Sequence, residues 1–503
     1  MKPPGLFAGH RRHLLGWILC CAMVQAAALA TAAIATRNVF VALHAESDSA
    51  ALSILSVGLA GACAAVMQVI FRNLAEHLGQ DYAKDVRLCL FDHASRSDQN
   101  DLNQRRMGYH ILRFTGDLTA LTGWPGLGLP RLAQTAILLP ASSAVLIYLD
   151  PHFVWVAICA ILPSALWVAF TQGQLLRAYH HLRKHRARLA ADVTERLPIA
   201  PKLTALGRRK VERSILVRRA SEVMDAARAC RRISEIRKSI PDLSAAFAAC
   251  AIMLLGSLQG LPASTIAAAL AALGLMIRPM RNVTSATDQA AKYSAAHGNL
   301  ARALNRPLAP MRGKKTHLRQ KPLSVEIVQS NGPSLKLRAG QSAVVSAPLM
   351  DDIENALTGN SVTRDFSLKL CGKDVSALTP GSLRRSVGVV TETPLILKGS
   401  LRRAVTLGLH PRPSDEAILN AAERAGLENV LAEIGGLDFR LTERGANLDV
   451  HHRLTISILR VALQSPGLVL VRSGLLLGKE LKANTDATQL VLPTGPNDFR
   501  WST

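Results

Sequence analysis

Six stretches of this chain run for seventeen or more residues without a single charged side chain. They are Leu14 to Thr36, Leu52 to Phe71, Leu132 to Leu149, Phe153 to Phe170, Leu243 to Gln259 and Leu261 to Ile277. About 20 such residues cross the hydrocarbon of a bilayer at a helical rise of about 1.5 Å. Inside lipid a segment must satisfy its own backbone polar groups, so each run is expected to be a helix. The reading is a bundle of six spans. A secretory signal peptide is the rival for the first run, but its apolar core would be shorter and a soluble domain would follow, so an anchor is favoured. The last two runs are rich in alanine, which lets helices pack closely. Gln25 and Gln68 lie inside spans and either line a path or bond to neighbouring helices. Pro140 and Pro163 read as kinks.

The segments between the runs alternate in length and charge. Residues 37–51 and 150–152 are short and carry Glu46, Asp48 and Asp150, whereas 72–131 holds eight Lys/Arg and 171–242 holds eighteen. Basic loops stay on the cytoplasmic side, which puts both termini and both long loops there, in an inner membrane if the source is bacterial. The net charge of +24 has the same origin, which argues against nucleic acid as a partner and for membrane lipid. Both long loops have helical pattern, so the spans are expected to continue as rods beyond the membrane. His180, His181 and His185 sit in a dense Arg/Lys run, where a metal would add charge to charge; a solvated basic face is expected. The eight cysteines show no paired metal spacing and read as small core or lipid-facing residues.

Residues 304–322 form a basic, proline-rich linker, so 1–303 reads as the membrane domain and 323–503 as a second domain. Ser324 to Val328, Leu335 to Leu337 and Gln341 to Ser346 read as strands. From Arg440 to Gly474 the pattern is sharper. Leu454 to Leu463 is apolar at helical spacing, Ser465-Pro466-Gly467 stops that helix, and Leu468 to Val471 is a fully apolar run suited to a buried parallel strand. Such a unit belongs in an α/β domain. Pro413 to Glu416 opens another helix, with Ser414 as cap and an acidic first turn.

This arrangement resembles the exporter-type half-transporter of the ATP-binding cassette (ABC) family, a six-span membrane domain followed by an α/β P-loop NTPase-like domain. Val86 to His93, Gly116-Asp117-Leu118 and Glu195 to Gly207 are similar to family runs around its cytoplasmic coupling helices. Asp374 to Leu378 and Val387 to Leu401 resemble the loop that docks on those helices, with Glu392 at the Gln place. The positions that carry chemistry depart from the family. Where its phosphate loop stands, this chain has Ala347 to Asn355, with Ile353 at the lysine place and Glu354 at the Ser/Thr place. Asp449, Val450, His451 and His452 stand at the signature, and Arg472 and Ser473 replace the acidic pair that holds Mg²⁺ and polarises water. Asp351, Asp352 and Glu354 would lie where a polyphosphate belongs, and each like-charge contact costs on the order of 1 kcal/mol or more near a protein surface. Lys479 takes the place of a further Asp, no His follows His452, and no aromatic between Leu323 and Gly340 is placed to stack adenine.

The resemblance implies ATP and Mg²⁺ as the family's cofactors; the substitutions lead to the expectation that this chain binds neither by itself and catalyses nothing with its own cassette, which reads as degenerate and truncated. It also implies a dimer, here a heterodimer with an intact ABC half-transporter, each chain contributing half of the path for an exported substrate. The alternative is a non-transporting regulatory or scaffolding membrane protein derived from such a transporter.

Overall fold

A computed structural model describes residues 3–44, 50–97, 116–306, 308, 316–318, 321–329, 334–358, 366–472 and 487–492. The chain divides into two compact units, one ending at Pro307 and one beginning at Leu308. In the first, each uncharged run lies within one long helix but for a residue or two at the turn between the last pair: α1 (Arg11–His44), α2 (Ala50–Ala94), α3 (Gly116–Leu149), α4 (Phe153–Arg196), α5 (Arg209–Leu258) and α6 (Ala263–Leu304). Among the described residues five of these, all but α4, are long and apolar enough to cross a membrane. The helices overrun the apolar runs and continue as long rods, as the basic segments implied. Where the runs lie, large side chains face outward: Leu52, Phe170 and Leu258 are each more than 70% exposed, which in water would be unfavourable and in lipid is not.

Small residues set the tightest crossings. Ala268, Ala269 and Ala272 of α6 are fully buried with Ile252 and Met276. A π-helical turn at Trp124–Gly128 interrupts α3 where it packs on α2. There a Cβ built on Gly79 would stand 2.9 Å from the Cα of Gly126, so two backbones touch with no room for a side chain.

The second unit holds an antiparallel sheet, order β2-β1-β4-β5, and a parallel sheet, order β3-β10-β9-β6. Its strands include β1 (Val325–Gln329), β2 (Leu335–Leu337), β3 (Ser342–Val344), β4 (Phe366–Leu370), β5 (Lys373–Asp374), β6 (Val387–Val390), β9 (Leu468–Val471) and β10 (Thr488–Val491); a hairpin, β7 (Gly399–Ser400) and β8 (Arg440–Leu441), lies apart. All four side chains of β9 are inaccessible, as a continuous apolar run in a parallel sheet requires. Four helices matter for the site. They are α7 (Ala347–Thr358), α8 (Asp415–Arg424), α9 (Glu428–Ile434) and α10 (Val450–Gln464). Ser414 caps α8 by accepting from Ala417 N–H, and Ser465 ends α10 in the left-handed conformation. Thr316 and Leu318, inside the linker segment of the sequence, bond to Thr379 and Ser382 and belong to this unit.

Candidate functional site

The parallel sheet brings the carboxyl ends of β3, β6 and β9 to one edge, the place where open α/β sheets bind ligands. What stands there is set by three segments. β3 leads into α7, which is already helical at Ala347. The stretch aligned with a phosphate-wrapping loop is therefore two turns of helix, and beyond the first turn its N–H groups are spent on the helix. Leu349, Met350 and Ile353 turn into the apolar core, so Ile353, at the lysine place, is fully buried and does not face the edge at all. Asp351 and Glu354, three residues apart, share another face.

Arg472 leaves the end of β9 with its N–H bonded to the Val390 carbonyl of β6. Its guanidinium reaches across to α7, donating to Asp351 Oδ1 at 2.6 Å and to Glu354 Oε2. Partial burial disfavours the Arg472 cation, but the carboxylates of Glu354 and Asp351 outweigh this and hold it above its ordinary range. The guanidinium of Arg472 thus neutralises both acids of this face of α7. Ser473 and Lys479 lie outside the described residues.

At the signature positions, Asp449 is the N-cap of α10 and its carboxylate accepts from His452 N–H at 2.7 Å. That hydrogen bond holds the Asp449 carboxyl below the usual carboxylate range. An anion therefore already occupies the positive end of the helix. Val450 and His451 are exposed, while the His452 ring lies 3.3 Å from Asp449 and 3.9 Å from Glu433 on α9. Glu392 lies in the loop after β6, half-buried. This loop is pinned from α10: Ser457 donates to the Thr391 carbonyl at 2.9 Å, and Arg460 donates to the carbonyls of Leu395 and Ala404, each at 2.7 Å. Burial pushes Arg460 down to about 10.

Three features of the first unit took shape only in the fold. Gln25 and Gln68 meet a third amide, Gln134, at 2.6 and 2.9 Å, and Asn282 donates to Gln134 at 3.3 Å. Four helices are thereby tied through one buried amide cluster; Gln134 was an uncharged polar residue inside a run, the same signal that singled out the other two. His180 and His181 are exposed, as a solvated basic face requires, and only His185 departs from that expectation. Its side chain is only 13% exposed and bonds Glu222 of α5 at 3.1 Å, because α4 and α5 pack as a hairpin along that face. Arg237 is fully buried, bonding to Gln172 and Thr287.

Residues 14–273 match the family described as the ABC transporter transmembrane region. The uncharacterized ABC transporter ATP-binding protein YknV of Bacillus subtilis is 19% identical over 78% of this chain and 68% of its own length. A multidrug efflux ATP-binding/permease protein of Mycobacterium tuberculosis is 24% identical over 83% of this chain, which spans 36% of that protein. Among solved structures, a bacterial Atm1-family ABC exporter with ATP bound superposes with a TM-score of 0.83 at 16% identity, covering 97% of this chain and 91% of that one, a likeness of fold. The chain therefore belongs to the ABC transporter family, as an integral, multi-pass exporter-type half-transporter whose membrane region is fused to an α/β cassette domain.

Proposed function

We propose that this chain is a subunit of an ABC export complex, with six spans and both termini in the cytoplasm, that contributes half of the translocation pathway while its own cassette neither binds nor turns over ATP. The bridge from Arg472 to Asp351 and Glu354 is the observation that carries this reading. Mg²⁺ needs an anionic oxygen where Arg472 stands, and a polyphosphate needs free N–H groups and a cation where α7 presents acids. The residues do not fit Mg-ATP, and the site is filled by its own side chains. Asp449 supports the same conclusion, since a γ-phosphate approaching α10 would meet a carboxylate.

A homodimer would then lack any competent site, because each site in this family combines one chain's phosphate loop with the other's signature. The reading is a heterodimer with an intact half-transporter, in which one composite site lacks the phosphate loop and the other the signature, so the partner must supply the driving step almost alone. Equilibrium binding of Mg-ATP to the purified full chain tests the first part. No saturable binding at 5 mM is expected, a level chosen as roughly a thousand times a micromolar dissociation constant, and micromolar binding followed by turnover would refute it. Purification from native membranes tests the second. An intact ABC half-transporter should come with the chain; its absence would favour the non-transporting scaffold.

A further inference from the structure

A cavity of about 980 Å³ opens among α2, α3, α4, α5 and α6. Its walls come from helix segments just outside the uncharged runs, from Glu76 on α2 to Lys292 on α6, so it lies in the long rods beside the membrane boundary. Six cations line it against three carboxylates, and the carboxylates are committed elsewhere. Asp117 is held by Arg183 at 2.8 Å, Asp288 accepts from the Ser234 hydroxyl and lies 3.7 Å from the buried Arg237, and Glu76 accepts from Gln80. Three of the cations, Arg228, Arg231 and Lys238, pair with Asp225 or Glu235. Arg186 and Lys292 remain, and among the described residues neither has a carboxylate within 4.0 Å. The Lys292 ammonium stands 5.4 Å over the Tyr179 ring, a contact that steadies a long side chain without neutralising it. Leu182 and Met224 supply apolar wall nearby.

We infer that this cavity takes an amphipathic organic anion, its charged group met by Arg186 and Lys292 and its apolar body by Leu182 and Met224. The volume suits a molecule of drug size. Two cations in a concave wall, with no ion-pair partner among the described residues, raise the local potential, which a carboxylate, sulfonate or phosphate relieves and a neutral analogue does not. The inference deepens the transport reading, on which it rests, by naming a class of cargo.

The test uses the full chain in phosphatidylcholine nanodiscs with dansyl-phenylalanine as the anionic probe and its methyl ester as the neutral one. The acid is expected to bind saturably and at least about tenfold more tightly than the ester. R186Q/K292Q should weaken the acid by about tenfold and leave the ester unchanged, whereas R186K/K292R, which keeps both charges, should hold the acid within about threefold of the wild type. Equal affinities for acid and ester, an R186Q/K292Q variant within about twofold for the acid, or loss in R186K/K292R as deep as in R186Q/K292Q would each overturn the inference. Adding phosphatidylglycerol separates the sources: displacement of the probe marks a lipid as the anion, retention a soluble molecule. Binding is read without transport. Failure of export would leave these affinities untouched, and equal affinities would leave the export reading standing.

Discussion

Replacing Arg472 by methionine removes the cation that Asp351 and Glu354 share and leaves two carboxylates three residues apart on α7. The Arg472 side chain is 31% exposed, that of Asp351 56% and that of Glu354 35%, so water screens the interaction. Ion pairs of this exposure contribute about 0.2–1 kcal/mol each. Two contacts to one guanidinium come to about 1 kcal/mol, and uncompensated repulsion along the helix adds a few tenths. For a unit of this size that is a fall in melting temperature of roughly 3–5 °C. Cys371 reports it selectively, being the only cysteine in residues 308–503, so thermal labelling of that thiol read by mass spectrometry follows this unit alone. D351N/E354Q should cost a similar amount, and adding R472M to it should cost little more, giving a coupling of about 1 kcal/mol. In 1 M salt the coupling should shrink. If the effects add to within about 0.3 kcal/mol, the bridge does not hold the site closed and the argument for a self-filled cassette fails.

Three further outcomes follow from the geometry. Because hydrogen bonding from His452 holds the folded Asp449 below its unfolded pKa, its contribution to stability is present above about pH 4 and lost as the pH falls through the folded value; an acid titration of D449N should therefore show a smaller loss than wild type, and parallel curves would rule this out. Gln134→Leu strips partners from Gln25, Gln68 and Asn282 at once and should destabilise the membrane unit by about 0.6–2 kcal/mol in denaturant titration, with no change counting against a structural role for the cluster. Gly79→Val forces a side chain against the backbone of Gly126 and should cost about 1–3 kcal/mol or more, whereas Gly58→Val, where nothing lies within 4 Å, should be nearly silent; equal effects would show that the close approach is not what constrains this position.

The sequence by itself determined the helices of the membrane unit and the strand-forming run of the second. Absence of charge over the length of a bilayer leaves a chain no alternative to a helix, and four consecutive apolar residues after a Pro-Gly stop leave Leu468 to Val471 little alternative to a buried strand. Local rules also set the cap at Ser414, since a cap is decided within four residues of itself. Glu354, Asp449 and Arg472 could be read only one residue at a time, each against the family that the chain resembles.

What they do to one another could not be read in this way. Arg472 and Asp351 are 121 residues apart, and nothing in either segment says that a cation on one meets acids on the other. That pairing exists because β10 enters between β3 and β9 and aligns their carboxyl ends, a consequence of strand order rather than of composition. Ile353 shows the converse, for its position in an alignment put it in the site while the helical register of α7 turned it into the core. In the membrane unit, Gln25 could have faced lipid, water or protein until the crossing of α1, α2, α3 and α6 gave it Gln68 and Gln134. Likewise, Arg186 and Lys292 are two among many basic residues of their helices, and only the packing of five helices around one space places both on it with no ion-pair partner within 4.0 Å among the described residues. Periodicity and charge act over a few turns of chain; juxtaposition across a hundred residues is fixed by how the elements stack.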